Sequence, residues 1–179
     1  HTYLIDAVRL LAERGVAVEL VLIGGDPPRR STLQDDIRAQ VTAAGLDGSV
    51  RFLGKVPSAE VRTWIEWSDI GVLACCRQPD GQMDGLPNFL TECEAMGRPV
   101  VSTRQAPVME LIVDGENGKL ARTRDAVELA DAIESMRRLD PEARAKMGLA
   151  GHERVQREHD VTVNTAALYD IYLDRVGRN

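Results

Sequence analysis

Asp84-Gly85-Leu86-Pro87-Asn88-Phe89-Leu90-Thr91-Glu92, running on to Gly97-Arg98-Pro99, reads as a loop that becomes a helix. Gly85 lacks a Cβ and permits a tight turn. Pro87 sets φ near the helical value and has no N–H to leave unpaired, which suits the first turn of a helix. The spacing predicts a helix over 88–96, closed by Gly97. The first amides of such a helix point outward and carry partial positive charge, so they favour a phosphate. Asp84 before the helix and Glu92 on its second turn are two acids that can hold hydroxyls on either side of a bound diphosphate. Leu86, Phe89 or Leu90, Cys93 and Met96 recur at helical spacing and face a core, while Glu94 reads as a surface charge.

Outward from this stretch, apolar runs alternate with helical patterns. On the N-terminal side lie a helix over 1–14, a strand over 18–23, a polar helix over 31–44, a strand over 50–53, a helix from Pro57 and a strand over 70–74. Arg29 and Arg30 lie in the loop after the first of these strands, and Ser58 is a candidate helix cap. On the C-terminal side follow a strand over 99–103, a short apolar piece at 109–113, a turn at 114–118, a short strand over 119–121, and helices over 125–139, 141–159 and 161–176. This alternation predicts an α/β fold, a parallel sheet with helices on both faces. A chain that opens in a helix leads us to expect a further strand and loop ahead of it. Ligands of such sheets bind at the carboxyl ends of the strands. Those loops are 24–30, 54–58, 75–87 and 103–109, and the opening motif lies on the third. No G-x-G-x-x-G follows the first strand and no G-x-x-x-x-G-K-[ST] occurs, which argues against dinucleotide dehydrogenases and P-loop enzymes.

The 179 residues suit one domain. A formal charge of -6 argues against a nonspecific hold on nucleic acid. Three cysteines, two of them adjacent at Cys75-Cys76, make neither a disulfide framework nor a zinc site, so a reducing cytoplasm is the simplest setting. Cys75 and Cys76 read as small residues at a strand end. Trp64 and Trp67 read as core and rim, and His152 and His159 as spectators on a polar helix.

Several stretches together resemble the donor-binding signature of retaining glycosyltransferases of the GT-B fold, family 4. They are Asp84-Gly85-Leu86-Pro87, Glu92 eight positions after Asp84, and Gly97-Arg98-Pro99-Val100-Val101-Ser102-Thr103. Glu110-Leu111-Ile112, Asp114-Gly115-Glu116-Asn117-Gly118, Arg51-Phe52-Leu53-Gly54-Lys55-Val56 and Leu4-Ile5-Asp6-Ala7 resemble further parts of the same family, in order along the chain. The resemblance implies the Rossmann-like C-terminal half of a GT-B enzyme, residues 1–179, with its first strand and the N-terminal acceptor domain missing. It implies transfer of a sugar from a nucleotide-diphosphate sugar to an acceptor glycan or lipid-linked sugar, in bacterial polysaccharide or glycoconjugate synthesis. In that scheme Asp84 is the catalytic-centre acid, holding a hydroxyl of the transferred sugar. Glu92 accepts hydrogen bonds from the ribose. Gly85, Leu86, Pro87, Asn88 and Phe89 face the diphosphate and sugar, and Gly54, Lys55 and Val56 lie beside the base. No metal or cofactor is expected, and the full enzyme is cytoplasmic or peripheral at the inner membrane face.

Two departures stand out. Asp84 replaces the family's usual Glu, and the family's basic pair at its first strand and loop has no counterpart after His1. The isolated chain is therefore expected not to turn over. The alternatives are a non-catalytic nucleotide-sugar-binding domain and a nucleotide-sugar epimerase of similar architecture.

Overall fold

The computed structural model describes residues 1–25, 32–77, 81 and 85–176. The elements run α1 (Thr2–Glu13), β1 (Leu20–Ile23), α2 (Leu33–Ala43), β2 (Val50–Gly54), α3 (Ser58–Trp67), β3 (Gly71–Leu73), α4 (Asn88–Ala95), β4 (Val100–Thr103), α5 (Ala106–Leu111), β5 (Gly118–Ala121), α6 (Ala126–Arg138), α7 (Pro141–Glu158) and α8 (Val161–Val176). Every strand pairing is parallel, as the alternating pattern requires.

The strands do not form one sheet. β1 pairs with β2, and β3, β4 and β5 form a second ladder in that order. Between the two ladders lies a cavity of about 370 Å³. Val21, Leu22 and Ile23 of β1 line it on one side, and Val72, Leu73 and Ala74 in and after β3 on the other. Hydrogen-bonded neighbours in a sheet stand about 4.8 Å apart. The open edges of β1 and β3 are thus separated by an apolar slot.

Two apolar clusters hold the fold. The first joins Leu4, Ile5, Val8 and Leu11 of α1 to Ile37 and Val41 of α2, to Val50 and Val101 of the strands, and to Leu129, Ile133 and Met136 of α6. The second joins Ile65 of α3, Leu90 and Cys93 of α4, Val100, Val108, Leu111, Leu120 and Val155 of α7. Each fully buried Leu or Ile contributes about 1.5–3 kcal/mol through the area it removes from water. α6 starts and α7 starts on an aspartate. Asp125 accepts from the Glu128 N–H at 2.9 Å and Asp140 from the Ala143 N–H at 2.7 Å.

Ser58 does not cap α3. Pro57 takes that place, its carbonyl accepting from the N–H groups of Glu60 and Val61 at 2.9 and 3.1 Å, and no side chain caps the helix. α8 has no buried residue; Leu168, Tyr169, Ile171, Tyr172 and Leu173 all face outward. No helix among the described residues is long and apolar enough to cross a membrane.

Candidate functional site

The site is built on α4. Its C-terminal end is closed by Gly97 at φ +68°, a left-handed position that suits glycine. The Gly97 N–H donates to the Glu94 carbonyl at 2.8 Å and the Arg98 N–H to the Cys93 carbonyl at 2.9 Å, which satisfies the last carbonyls of the helix. Its N-terminal end is different. Pro87, at φ −71° and ψ 121°, is the residue before the helix rather than part of its first turn, and among the described residues no side chain caps α4 there. The Leu90 N–H donates to the Pro87 carbonyl at 3.1 Å, and the amides of Asn88 and Phe89 ahead of it meet no side-chain acceptor among the described residues, which is the condition for holding an anion.

Burial separates the faces of α4. Leu90, Cys93 and Glu94 are fully buried, whereas Glu92 and Asn88 are exposed and Phe89 is half-buried. Phe89 and Glu92 line the slot between the ladders, together with Trp64 and Trp67 of α3 and Ile23 and Ala74 at strand ends. The two tryptophan rings meet edge-on at 5.4 Å, and the Arg51 guanidinium lies 5.1 Å from the Trp64 ring centre. Glu92 thus stands at the strand-end rim, with its carboxylate open to solvent.

The other expected site residues are distributed as follows. Gly54 ends β2 at φ +70°, and its carbonyl accepts from the Gly24 N–H at 2.9 Å, joining the loops that follow β1 and β2. Lys55 is exposed and its methylenes run along Gly25, where a Cβ would come within 3.0 Å of them. Val56 is half-buried. These three lie at the carboxyl end of β2 and do not line the slot that Glu92 faces. Gly85 is exposed, and its φ lies outside the left-handed region, with open space where a Cβ would stand. The turn there does not need a glycine for conformational reasons. Leu86 packs against the second cluster. Asp84 lies outside the described residues, as do Arg29 and Arg30.

Sequence reasoning missed an inner layer behind α4. Glu94, read as a surface charge, has no solvent exposure. The error came from its neighbours: at helical spacing 94 falls beside the buried stripe, and only α7 crossing there encloses it. Glu94 Oε1 accepts from Asn117 Nδ2 at 2.8 Å, and Oε2 has no hydrogen-bond partner among the described residues. Asn117 is itself buried. Its Nδ2 also donates to the Leu111 carbonyl at 2.9 Å, and its Oδ1 accepts from the Val113 N–H at 2.7 Å. Burial pushes the Glu94 carboxyl up to about 8, against the opposing pull of Arg154 and the Asn117 hydrogen bond. Burial likewise pushes the Cys93 thiol up to about 12, helped by the charges of Glu92 and Glu94. That thiol is inert at neutral pH.

Side chains also tie the strand ends together at the rim. Thr103 Oγ1 donates to the Cys75 carbonyl at 2.5 Å and Ser102 Oγ to the Leu73 carbonyl at 2.6 Å. Arg124, at φ 61°, donates to the Arg77 carbonyl at 2.7 Å. His152 Nδ1 lies 2.7 Å from the Ala95 carbonyl and so joins α7 to the end of α4. Among the described residues no group of three or more His, Cys, Asp or Glu side chains is placed to hold a metal ion.

A family model described as "Glycosyl transferases group 1" matches residues 1–138. The putative colanic acid biosynthesis glycosyltransferase WcaL of Escherichia coli (strain K12) is 33% identical over 156 residues, covering 87% of this chain and 37% of that protein. The amylovoran biosynthesis glycosyltransferase AmsK of Erwinia amylovora is 33% identical over 127 residues, covering 70% of this chain and 30% of that protein. This chain therefore spans about a third of the length of these relatives. Among solved structures, the C-terminal domain of LpcC, a glycosyl transferase group 1 family protein from Francisella tularensis, matches with a TM-score of 0.74 at 25% identity, covering 89% of this chain and 79% of that one. Anabaena Alr3699/HepE in complex with UDP-glucose matches in fold with a TM-score of 0.79 at 23% identity, covering 95% of this chain and 44% of that one.

Proposed function

The chain belongs to the group 1 glycosyl transferases, and from that premise we propose that it is the donor-binding half of a retaining enzyme that moves a sugar from a nucleotide-diphosphate sugar to an acceptor. The observation that carries this reading is the pairing on α4 of an N-terminus with no side-chain cap among the described residues and Glu92, exposed one turn later at the strand-end rim. The amides of the first turn hold the diphosphate, and the Glu92 carboxylate accepts from the ribose hydroxyls, a task for which its two oxygens suit it. As the sugar–phosphate bond breaks, negative charge grows on the leaving diphosphate. Fixed donors aimed there lower the barrier without a covalent nucleophile. Asp84 is assigned a hydroxyl of the transferred sugar, and Gly54, Lys55 and Val56 the edge of the base. Polysaccharide or glycoconjugate synthesis is the setting suggested by the relatives' names.

We further assign the slot between β1 and β3 to an additional parallel strand of the same polypeptide. Its walls are apolar and belong to two open, parallel strand edges, which fits a strand better than a phosphate. The acceptor site is assigned to a separate domain, so that this chain alone does not turn over.

Glu92→Ala tests the donor reading. Losing the acceptor of two hydrogen bonds to a charged group is expected to weaken binding of the matching nucleotide diphosphate, among UDP, GDP and ADP, by about tenfold or more. Calorimetry should show that loss with an unchanged melting temperature, since the side chain is exposed. Equal affinity in wild type and variant refutes the assignment.

A further inference from the structure

Glu94 has no task in the donor scheme, yet its carboxyl is among the most enclosed polar groups of the molecule. α4 is gripped there from two sides. On one side Asn117 reaches out of the 113–117 turn, itself tied to the Leu111 carbonyl and the Val113 N–H, and donates to Glu94 Oε1 at 2.8 Å. On the other side the backbone of α7 passes at Gly151, where a Cβ would stand 2.9 Å from Glu94 Cγ and 3.1 Å from Oε1. Only glycine lets α7 come that close. Two residues away along α4, Glu92 faces the proposed site.

We infer that Glu94 is a positioning residue for that site: its hydrogen bond with Asn117 holds α4 against the 113–117 turn and α7, and so sets the aim of the first-turn amides and of Glu92. The inference rests on the donor-binding reading above. Its chemistry depends on which form the carboxyl takes. Oε2 is buried without a partner among the described residues, which costs a carboxylate far more than a neutral acid. The charged group facing it from α7 is Arg154, whose Nε is also buried and unpartnered. Arg154 otherwise donates to the Glu110 carbonyl at 3.0 Å and pairs with Glu158. Asn117 is neutral, and His152 of α7 is engaged with the Ala95 carbonyl. Glu92 and Cys93 are the titratable neighbours on α4 itself, and the Cys93 thiol stays protonated over the range of interest. Asn117 and Arg154 both favour ionised Glu94, but the cost of burying the charge outweighs them, so ionisation strains the enclosure between the 113–117 turn and α7 and loosens the hold on α4.

The test compares wild type, Glu94→Gln and Glu94→Ala in the full chain, between pH 6 and 9. UDP affinity is measured by titration calorimetry and the protection of the amides of residues 88–95 by hydrogen exchange. Wild type is expected to lose UDP affinity by about fivefold or more toward pH 9, a usual size for coupling between sites. Glu94→Gln keeps the shape and the acceptor oxygen without a charge. It is expected to retain the acidic-side affinity across the range, with α4 equally protected throughout. UDP's own titration is common to all variants and cancels. Glu94→Ala is expected to be weak at every pH, but the conclusion rests on Gln in case the alanine variant does not fold. The same pH profile in wild type and Glu94→Gln overturns the inference, as does a change in α4 protection with no change in affinity. Absence of UDP binding in every variant counts against the donor reading instead. In that case the inference stands or falls on α4 protection, which must decline with pH in wild type and not in Glu94→Gln.

Discussion

Gly148→Ala probes the contact that fixes α7 behind the proposed site. A Cβ at position 148 would stand 2.0 Å from the Gly97 carbonyl oxygen, 2.8 Å from the Gly97 carbonyl carbon and 3.3 Å from Pro99 Cδ. Non-bonded carbon atoms rest at roughly 3.5–4.0 Å, so the overlap exceeds about 1 Å. The obstacle is backbone, held in place by the hydrogen bonds that end α4, and no rotamer change relieves it. α7 must withdraw, and with it the buried Met147, Gly151 and Val155. Overpacking of this kind costs about 1–3 kcal/mol, and an unyielding neighbour puts this case at the upper end. Alanine returns about 0.8–1.0 kcal/mol through its better helix propensity. The net loss is then about 1–2 kcal/mol, or a fall in melting temperature of about 2–8 °C for a chain of this length. Calorimetric melting of the variant measures it. Ala145→Gly, at an exposed position of the same helix, is expected to cost about 1 kcal/mol from propensity alone. A Gly148→Ala protein that melts at or above the wild-type temperature refutes the close approach of α7 to the end of α4.

Stability should fall as pH rises through the window between the ordinary and the folded-state carboxyl of Glu94. The ordinary value is 4.5 and the folded value about 8, so the folded protein holds a proton that the unfolded chain has released. The stabilisation is complete below about pH 4.5 and is lost at about 1.4 kcal/mol per pH unit up to about pH 8, which makes roughly 4–5 kcal/mol an upper limit. Urea unfolding of wild type against Glu94→Gln isolates this contribution, and parallel pH profiles would show that the buried acid does not supply it. Asp125→Ala should cost about 1 kcal/mol in the same assay, because it removes the acceptor of the Glu128 N–H at the start of α6; an unchanged urea midpoint would deny the cap its role. Leu90→Ala removes a fully buried side chain of α4 and should cost about 2–5 kcal/mol, against no loss if the second cluster were loosely packed.

The fold class was legible because its signal is local. Apolar runs such as Val50-Arg51-Phe52-Leu53 alternating with amphipathic stretches such as 126–138 define parallel strands and covering helices before any contact is known. α4 was legible for the same reason: Pro87 before it and Gly97 after it bracket a helix from Asn88 to Ala95. Glu92 could be placed on an exposed face by helical spacing counted from Leu90 and Cys93.

What only the tertiary structure decided is which side chains a second element covers. Glu94 lies two residues from an exposed acid and has the same chemistry. It is buried because Gly148 and Gly151 let α7 lie against α4, and because Asn117 arrives from 23 residues along the chain to meet it. The division of five strands into a pair and a triplet is of the same kind, since β1 and β3 carry ordinary strand patterns and nothing in either says which neighbour stands beside it. Spacing along a chain reports what faces away from an element's own axis; it carries no record of how near another backbone comes.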